Sequence, residues 1–223
     1  MKPRPVIAID GPAGAGKSTV ARMVCQRTGL AMLDTGAMYR GIAWAAHRDK
    51  LDVADAGLMT RLANEVDLQF QGIPARLVVD GVDVGDEIRT LEIGQDASRL
   101  SEHSGVRQAL VAQQQRIIEA GGFVLEGRDV TTVVAPKAEL KIFLTASVEE
   151  RGRRRWEESK ARGVTDTLPM VIKDVISRDY RDYTRADSPL MLAEDAVIIE
   201  SFGLTPEAVV DRIMELLLKR TSV

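Results

Sequence analysis

Cysteine is almost missing from this chain: Cys25 is the single one among 223 residues. No disulfide framework can form within it, and a reducing compartment fits that usage. Charge of one sign is missing as well, since the formal net charge is only −3, so nothing points to bulk nucleic-acid binding. No apolar run approaches membrane-spanning length, and no signal-peptide pattern opens the chain. The expectation is a cytoplasmic protein with no membrane partner and no nucleic-acid partner. Histidine occurs twice, at His47 and His103, both read as surface or packed residues rather than catalysts. Cys25 reads as a small packed residue rather than a nucleophile. Internal repeats, low-complexity tracts and exposed linkers are absent. What is present is ordinary for a soluble globular protein: 45% hydrophobic and 28% charged residues. The length fits one domain with insertions, or one and a half domains, and is enough to bury a sizeable core.

The organising stretch is Gly11-Pro12-Ala13-Gly14-Ala15-Gly16-Lys17-Ser18, which fits the phosphate-loop pattern. Val6-Ile7-Ala8-Ile9 before it reads as a buried strand. From Thr19 the spacing predicts a helix with Val20, Met23, Val24 and Arg27 on one face and Gly29 as its stop. Backbone N–H groups of such a loop point inward, the helix start carries partial positive charge, and glycine lets the backbone approach phosphates. Lys17 is expected to reach the β- and γ-phosphates, and the Ser18 hydroxyl to ligate Mg²⁺.

Further along, Leu30-Ala31-Met32-Leu33 reads as a parallel strand covered on both faces. Ligands in open α/β sheets bind beyond the carboxyl ends of strands, which places Thr35, Tyr39 and Arg40 where a second substrate would sit. A polar helix is expected over 56–66. Leu68-Gln69-Phe70, a break at Gly72-Ile73-Pro74, and Arg76-Leu77-Val78-Val79 running into Asp80-Gly81 signal a small antiparallel insert outside the main sheet. Ser104 is the expected N-cap of a long helix ended by Gly121-Gly122. Further core strands are expected at 123–125, 140–144 and 197–199. Ser147 with Glu150 forms a capping-box pattern, and Thr205-Pro206 opens the last helix, with Val209, Ile213 and Leu216 on its core side. Helix-like sequence through Met170, Ile172 and Ile176 enters a densely charged run from Arg178 to Arg185.

Two readings of Arg151, Arg153, Arg154 and Arg155 stand side by side: a solvated helix face, or a mobile lid that brings arginines to a transferring phosphate. Lys160-Ala161-Arg162-Gly163 would be the lid's hinge. A phosphate loop alone is shared by GTPases, motor ATPases and small-molecule kinases. The length argues against large motors, and the guanine-reading Asn-Lys-x-Asp motif is absent. Arginines and carboxylates after strand ends, at Arg40, at Arg128-Asp129 and from Arg178 to Arg185, are the fixed donors that a second anionic substrate needs.

These residues are similar to the bacterial cytidylate kinases, within the nucleoside monophosphate kinases. The matching stretches run from Ile9 to Ser18, from Leu33 to Arg40, Glu87-Ile88-Arg89-Thr90, Gly127-Arg128-Asp129 with Thr132-Val133-Val134, Lys141-Ile142-Phe143-Leu144, and Arg178-Asp179-x-Arg181-Asp182-x-x-Arg185. The resemblance implies an α/β phosphate-loop fold: a five-stranded parallel sheet with flanking helices, a small antiparallel β insert and a short helical lid. The core would comprise 1–62 and 88–223, with the lid about 150–166, and 63–87 would be the antiparallel part of the monophosphate-binding insert. It also implies transfer of the ATP γ-phosphate to CMP, and to dCMP, using Mg²⁺ with ATP; a monomer is expected.

On this resemblance the ATP set is Gly11, Pro12, Ala13, Gly14, Ala15, Gly16, Lys17, Ser18 and Thr19 with Arg154 and Arg155. Arg40, Arg128 and Arg185 clamp the CMP phosphate, Arg178 and Asp182 contact the ribose, and Ser98, Arg107 and Asp129 read cytosine. Cytosine offers an N4 amino donor and N3 and O2 acceptors, whereas uracil would set an acceptor against the acceptors waiting for N4. No general base is needed, because the attacking phosphate oxygen is already largely ionised with a second pKa of about 6. Lys17, Mg²⁺ and the arginines offset the repulsion between two polyanions. Glu126 is read as an outer-shell Mg²⁺ partner or a structural salt bridge. Two departures from the family pattern are Ala13, where many members carry serine, and Thr131, where glycine is usual.

Overall fold

A computed structural model describes residues 4–72, 75–161, 163 and 165–221. In chain order the elements are β1 (Ile7–Asp10), α1 (Lys17–Thr28), β2 (Ala31–Asp34), α2 (Thr35–Arg48), α3 (Ala56–Glu65), β3 (Leu68–Gln71), β4 (Arg76–Val79) and β5 (Val82–Asp83). Then follow α4 (Leu91–Leu100), α5 (Ser104–Ile118), β6 (Phe123–Glu126), β7 (Leu140–Thr145), α6 (Val148–Ala161), α7 (Leu168–Thr184), β8 (Val197–Glu200) and α8 (Pro206–Thr221). A 3-10 turn at Glu87–Arg89 precedes α4, and a π-helical turn at Val130–Val134 follows β6. The chain divides into two units, Met1–Met32 with Gly121–Val223, and Leu33–Ala120.

The first unit is built on a five-stranded sheet in the order β2-β6-β1-β7-β8. β1 is its centre: all four residues are buried, and it pairs in parallel with β6 (Ile7 opposite Val124) and with β7 (Ile7 opposite Leu140). α1 and α8 supply Val20, Val24, Val209, Val210, Ile213 and Leu217 to the core over this sheet. Leu217 is the buried leucine of α8, and Leu216 packs only partly. Thr205 caps that helix as expected, its Oγ1 accepting from the Ala208 N–H at 3.3 Å.

The outer strands differ from their expected burial. Ala31 is exposed and Ile198 is 56% exposed, because β2 and β8 are the sheet's edges and neither is covered on both faces. α7 buries polar as well as apolar side chains. Met170 and Ile176 face solvent, and the buried positions are Val171, Val175, Asp179 and Asp182. Two carboxylates occupy the inner face because arginines satisfy them there. On α6, Ser147 Oγ accepts from the Glu150 N–H at 3.2 Å, which is one half of a capping box, whereas the Glu150 carboxylate takes Arg154 at 2.7 Å and Arg153 at 3.0 Å. Arg162 of the expected hinge, and Val164 within 150–166, lie outside the described residues.

In the second unit, Asp34 and Asp55 cap α2 and α3, accepting from the N–H groups of Ala37 (2.8 Å) and Leu58 (2.9 Å). β3, β4 and β5 form the expected antiparallel sheet, and Asp80 and Gly81 turn between β4 and β5 at φ of 49° and 81°. Left-handed φ at both positions is the turn whose twist matches a hairpin. Ile73 and Pro74, in the expected break, lie outside the described residues. α2 crosses this sheet at Gly41, where a Cβ would stand 2.7 Å from Leu77 Cδ2. The expected N-cap of α5 shifts by one: Ser104 is the first helical residue and His103 holds the cap position without a side-chain cap. The His103 ring instead lies 3.0 Å from the Val53 carbonyl oxygen. Among the described residues no helix is long and apolar enough to cross a membrane.

Candidate active site

β1 delivers the chain into the glycine loop, and Gly16 hands it to α1 without a side-chain cap, leaving the first N–H groups of that helix to the loop's concave side. Lys17 is buried and its Nζ donates to the Pro12 carbonyl at 2.8 Å. Burial, then the positive charge of Arg128, pushes its pKa down to about 7, with Glu126 and Asp182 partly opposing. Ser18, in the first turn beside it, offers one hydroxyl oxygen. That donor fits Mg²⁺, a hard ion that takes oxygen and keeps several water and phosphate ligands of its own.

Beside the loop lies a cleft of about 530 Å³ whose walls include Ala15, Gly16, Thr19, Arg154, Ser201 and Phe202. Arg154 is drawn to its floor by Ser201, donating to the hydroxyl and to the carbonyl, both at 2.9 Å. Arg155 pairs with Asp174 at 3.2 Å. Arg153 is the solvated member of the run, bonded to Glu150 and Glu157. Arg151 belongs to neither reading of that run. It is buried, and its guanidinium reaches Asp179 at 2.6 Å and the Ala13 carbonyl at 2.8 Å.

At the end of β6 the chain builds a second charged cluster in the same unit. Arg128 Nε donates to Asp182 Oδ2 at 2.7 Å, and Arg185 Nη1 stands 3.7 Å from Asp182 Oδ1. Arg185 also approaches Asp129 at 3.8 Å and is steered by two bonds to the Ser188 carbonyl, at 2.8 and 2.6 Å. Burial alone would raise the Asp182 pKa, yet Arg128, Arg178 and Arg185 hold it below the usual carboxylate range. Arg128 is likewise pulled down by burial and raised on balance, chiefly by Asp182. Glu126 is buried at the strand end, and its charge raises the proton affinity of both Lys17 and Arg128. Arg128, Asp129, Asp182 and Arg185 are thus brought together, with Arg178 close enough to act on Asp182.

Asp10, at the end of β1, supports this cluster, a role that no spacing in the sequence signals. Its carboxylate accepts from the Val130 N–H (3.0 Å), the Thr131 N–H (2.7 Å) and the Thr131 hydroxyl (2.6 Å), which fixes the π-helical turn directly after Asp129. Burial lifts its pKa to about 6 against those three hydrogen bonds. Thr131, one of the two departures from the family pattern, thereby has a structural use.

The second unit holds the remaining candidates. Thr35 opens α2, and Tyr39 and Arg40 follow on the same helix. Arg40 Nη1 donates to the Ile88 carbonyl at 2.9 Å and passes so close to α4 that a Cβ on Gly94 would stand 3.1 Å away. Arg107 is buried on α5, with its guanidinium carbon 5.6 Å from the centre of the Tyr39 ring. Ser98 is buried on α4, and Ser101 links the two: its hydroxyl donates to the Ser98 carbonyl (2.7 Å) and its carbonyl accepts from Arg107 (3.4 Å).

A parallel sheet whose central strand feeds a glycine loop, a lysine and a serine at a helix start, with partly buried arginines gathered after the neighbouring strand, defines a phosphate-loop kinase. The fold matches that of the shikimate kinase of Bacteroides thetaiotaomicron with a TM-score of 0.50 at 13% identity, over 96% of this chain and 98% of that one. Sequence takes the assignment further. The family model for cytidylate kinase matches residues 7–219. A cytidylate kinase of Desulforamulus reducens is 46% identical over 93% of this chain and 94% of its own length. The bifunctional pantoate ligase/cytidylate kinase of Gloeobacter violaceus is 45% identical over 96% of this chain. This chain spans only 42% of that longer protein, and less than half of the similar two-function proteins of Synechococcus and Trichormus. The chain belongs to the cytidylate kinase family.

Proposed function

We propose that the protein transfers the γ-phosphate of ATP to CMP, and to dCMP, giving ADP and the corresponding diphosphate, in the cytoplasm. The observation that carries this reading is the cluster of Arg128 and Arg185, both partly buried, on the buried Asp182, held beside an intact phosphate loop in a cytidylate kinase relative. Partly buried guanidinium groups with fixed directions suit a phosphate dianion, because the forked donors meet its oxygens without reorganising. In this reading the loop from Gly11 to Thr19 holds the donor's phosphates, and Arg154 and Arg155 flank the donor nucleotide. Ser18 would hold Mg²⁺, which supplies neutralising charge on the phosphates when bound. Lys17, Arg40, Arg128 and Arg185 stabilise the charge that spreads over the transferring group.

Cytosine recognition falls to Ser98, Arg107 and Asp129, and ribose contacts to Arg178 and Asp182. The Tyr39 ring stacked on Arg107 restrains that guanidinium and favours a directed contact over a mobile one. An ADP-release assay with Mg²⁺-ATP and CMP, dCMP, UMP, AMP or GMP tests the proposal. Turnover with CMP and dCMP far above that with UMP is the expected outcome. A preference for another acceptor would keep the phosphate chemistry and remove the cytosine roles of Ser98, Arg107 and Asp129.

A further inference from the structure

We propose that Arg151 and Asp179 are a positioning pair for the phosphate loop, holding both backbone polar groups of Ala13 from helices α6 and α7. The Ala13 N–H donates to Asp179 Oδ1 at 3.1 Å, and the Ala13 carbonyl accepts from Arg151 Nη1 at 2.8 Å. The same Nη1 donates to Asp179 Oδ2 at 2.6 Å, which closes the ring, and Arg151 Nε is tied to the Ala146 carbonyl at 2.9 Å. Both side chains are buried, so the bonds form away from competing water and are charge-assisted. The next loop residue seals the contact. Gly14 has φ of +75°, and a Cβ there would stand 2.9 Å from the Arg151 carbonyl oxygen, so the loop runs directly against the α6 backbone.

A phosphate loop binds through the directions of its N–H groups, and the pair holds the residue in the middle of its Gly11–Gly16 arc. Asp179 shares α7 with Arg178 and Asp182, and Arg185 is the residue that ends that helix, so donor-loop geometry and the arginine cluster hang on one helix and its end. Arg151 shares α6 with Arg154, which lines the cleft beside the loop. Movement of either helix is therefore transmitted to the loop through Ala13. This pair acts through the loop and does not itself touch the reacting atoms.

The inference rests on the loop binding the donor nucleotide, and its test keeps the two apart. Titration calorimetry on the full chain measures the affinity of a non-hydrolysable Mg²⁺-ATP analogue, and separately of CMP, for wild type, Asp179→Asn, Arg151→Lys, Arg151→Ala and the double variant Arg151→Ala/Asp179→Asn. Thermal unfolding is recorded for each. Asp179→Asn is expected to weaken the ATP analogue about tenfold, the scale of one charge-assisted hydrogen bond. CMP affinity should change less than about twofold, which a general loosening of the fold would not allow. Arg151→Lys, keeping the charge without the fork, should lose less than Arg151→Ala, and the double variant should be little worse than the worse single one. Unchanged ATP-analogue affinity in the single variants overturns the proposal. So do equal losses of both ligands in step with the melting temperature. If wild type binds no ATP analogue, the kinase reading fails first, and this pair's role fails with it.

Discussion

Removing the Asp182 carboxylate should destabilise the first unit far more than removing an ordinary surface charge. The side chain is 5% exposed, accepts a 2.7 Å bond from Arg128 and faces Arg185 at 3.7 Å, itself only 4% exposed. Two unit charges at such distances attract by about 4–6 kcal/mol per pair at an effective dielectric constant of 20, and desolvation takes back much of that. Truncating one member of a buried pair typically costs about 3–5 kcal/mol, because the partner charge remains buried without its counter-ion. For a chain of this size that corresponds to a fall in melting temperature of roughly 6–20 °C. Asp182→Ala should show it by calorimetry at pH 7, and Asp182→Asn about half of it. The folded-state pKa lies below 3.8, so the contribution is fully present above the unfolded value and lost as pH falls through the folded one. The gap between wild type and variant should therefore be constant down to about pH 5 and close in stronger acid. Inorganic phosphate should rescue the alanine variant more than it stabilises wild type, since it restores a negative charge among the arginines. A drop below about 2 °C without phosphate, equivalent to under 1 kcal/mol, would refute the argument.

Other perturbations probe other parts of the molecule. Gly41→Ala should cost about 1–3 kcal/mol in thermal or denaturant unfolding, since its Cβ would meet Leu77, Leu68 and Val79 at 2.7, 3.2 and 3.3 Å; an unchanged midpoint would mean that α2 does not pack on the sheet this way. Asp10 works in the opposite sense to Asp182: its pKa is raised from 3.8 to about 6, so stability should fall by about 3 kcal/mol as pH rises across that window. Denaturation at fixed pH should find that fall in wild type and lose it in Asp10→Asn, whose amide does not ionise. Lys17→Ala should lower turnover by at least about a hundredfold with little loss of CMP affinity, and near-normal turnover would take Lys17 out of the mechanism.

What the sequence made legible was local. The phosphate loop, the Asp80-Gly81 hairpin, and the caps at Ser147 and Thr205 are each signalled by neighbouring residues, and each appears where its chemistry demands. The parallel strands were equally readable as apolar runs, though not which of them lie at the sheet's edge, since that depends on strand order. The supports of the site were hidden because they act over long sequence distances. Asp10 reaches Thr131 and Arg151 reaches Ala13, and no spacing rule connects either pair. Arg151 sits in a run of arginines that reads either as a solvated face or as a lid; only tertiary packing singles out the one that is buried. The inner face of α7 is hidden for the same reason, since Asp179 and Asp182 count as polar in any pattern and yet lie on it.

The central claim is that this chain moves a phosphoryl group from ATP to the phosphate of a cytosine nucleotide. The most direct measurement supplies γ-labelled ATP and Mg²⁺ with equimolar CMP and UMP in one vessel and separates the products by chromatography. Label should appear in CDP, with little in UDP and little released as inorganic phosphate. Label divided equally between CDP and UDP would contradict the cytosine-reading assignment, and label released only as inorganic phosphate would contradict the kinase account as a whole.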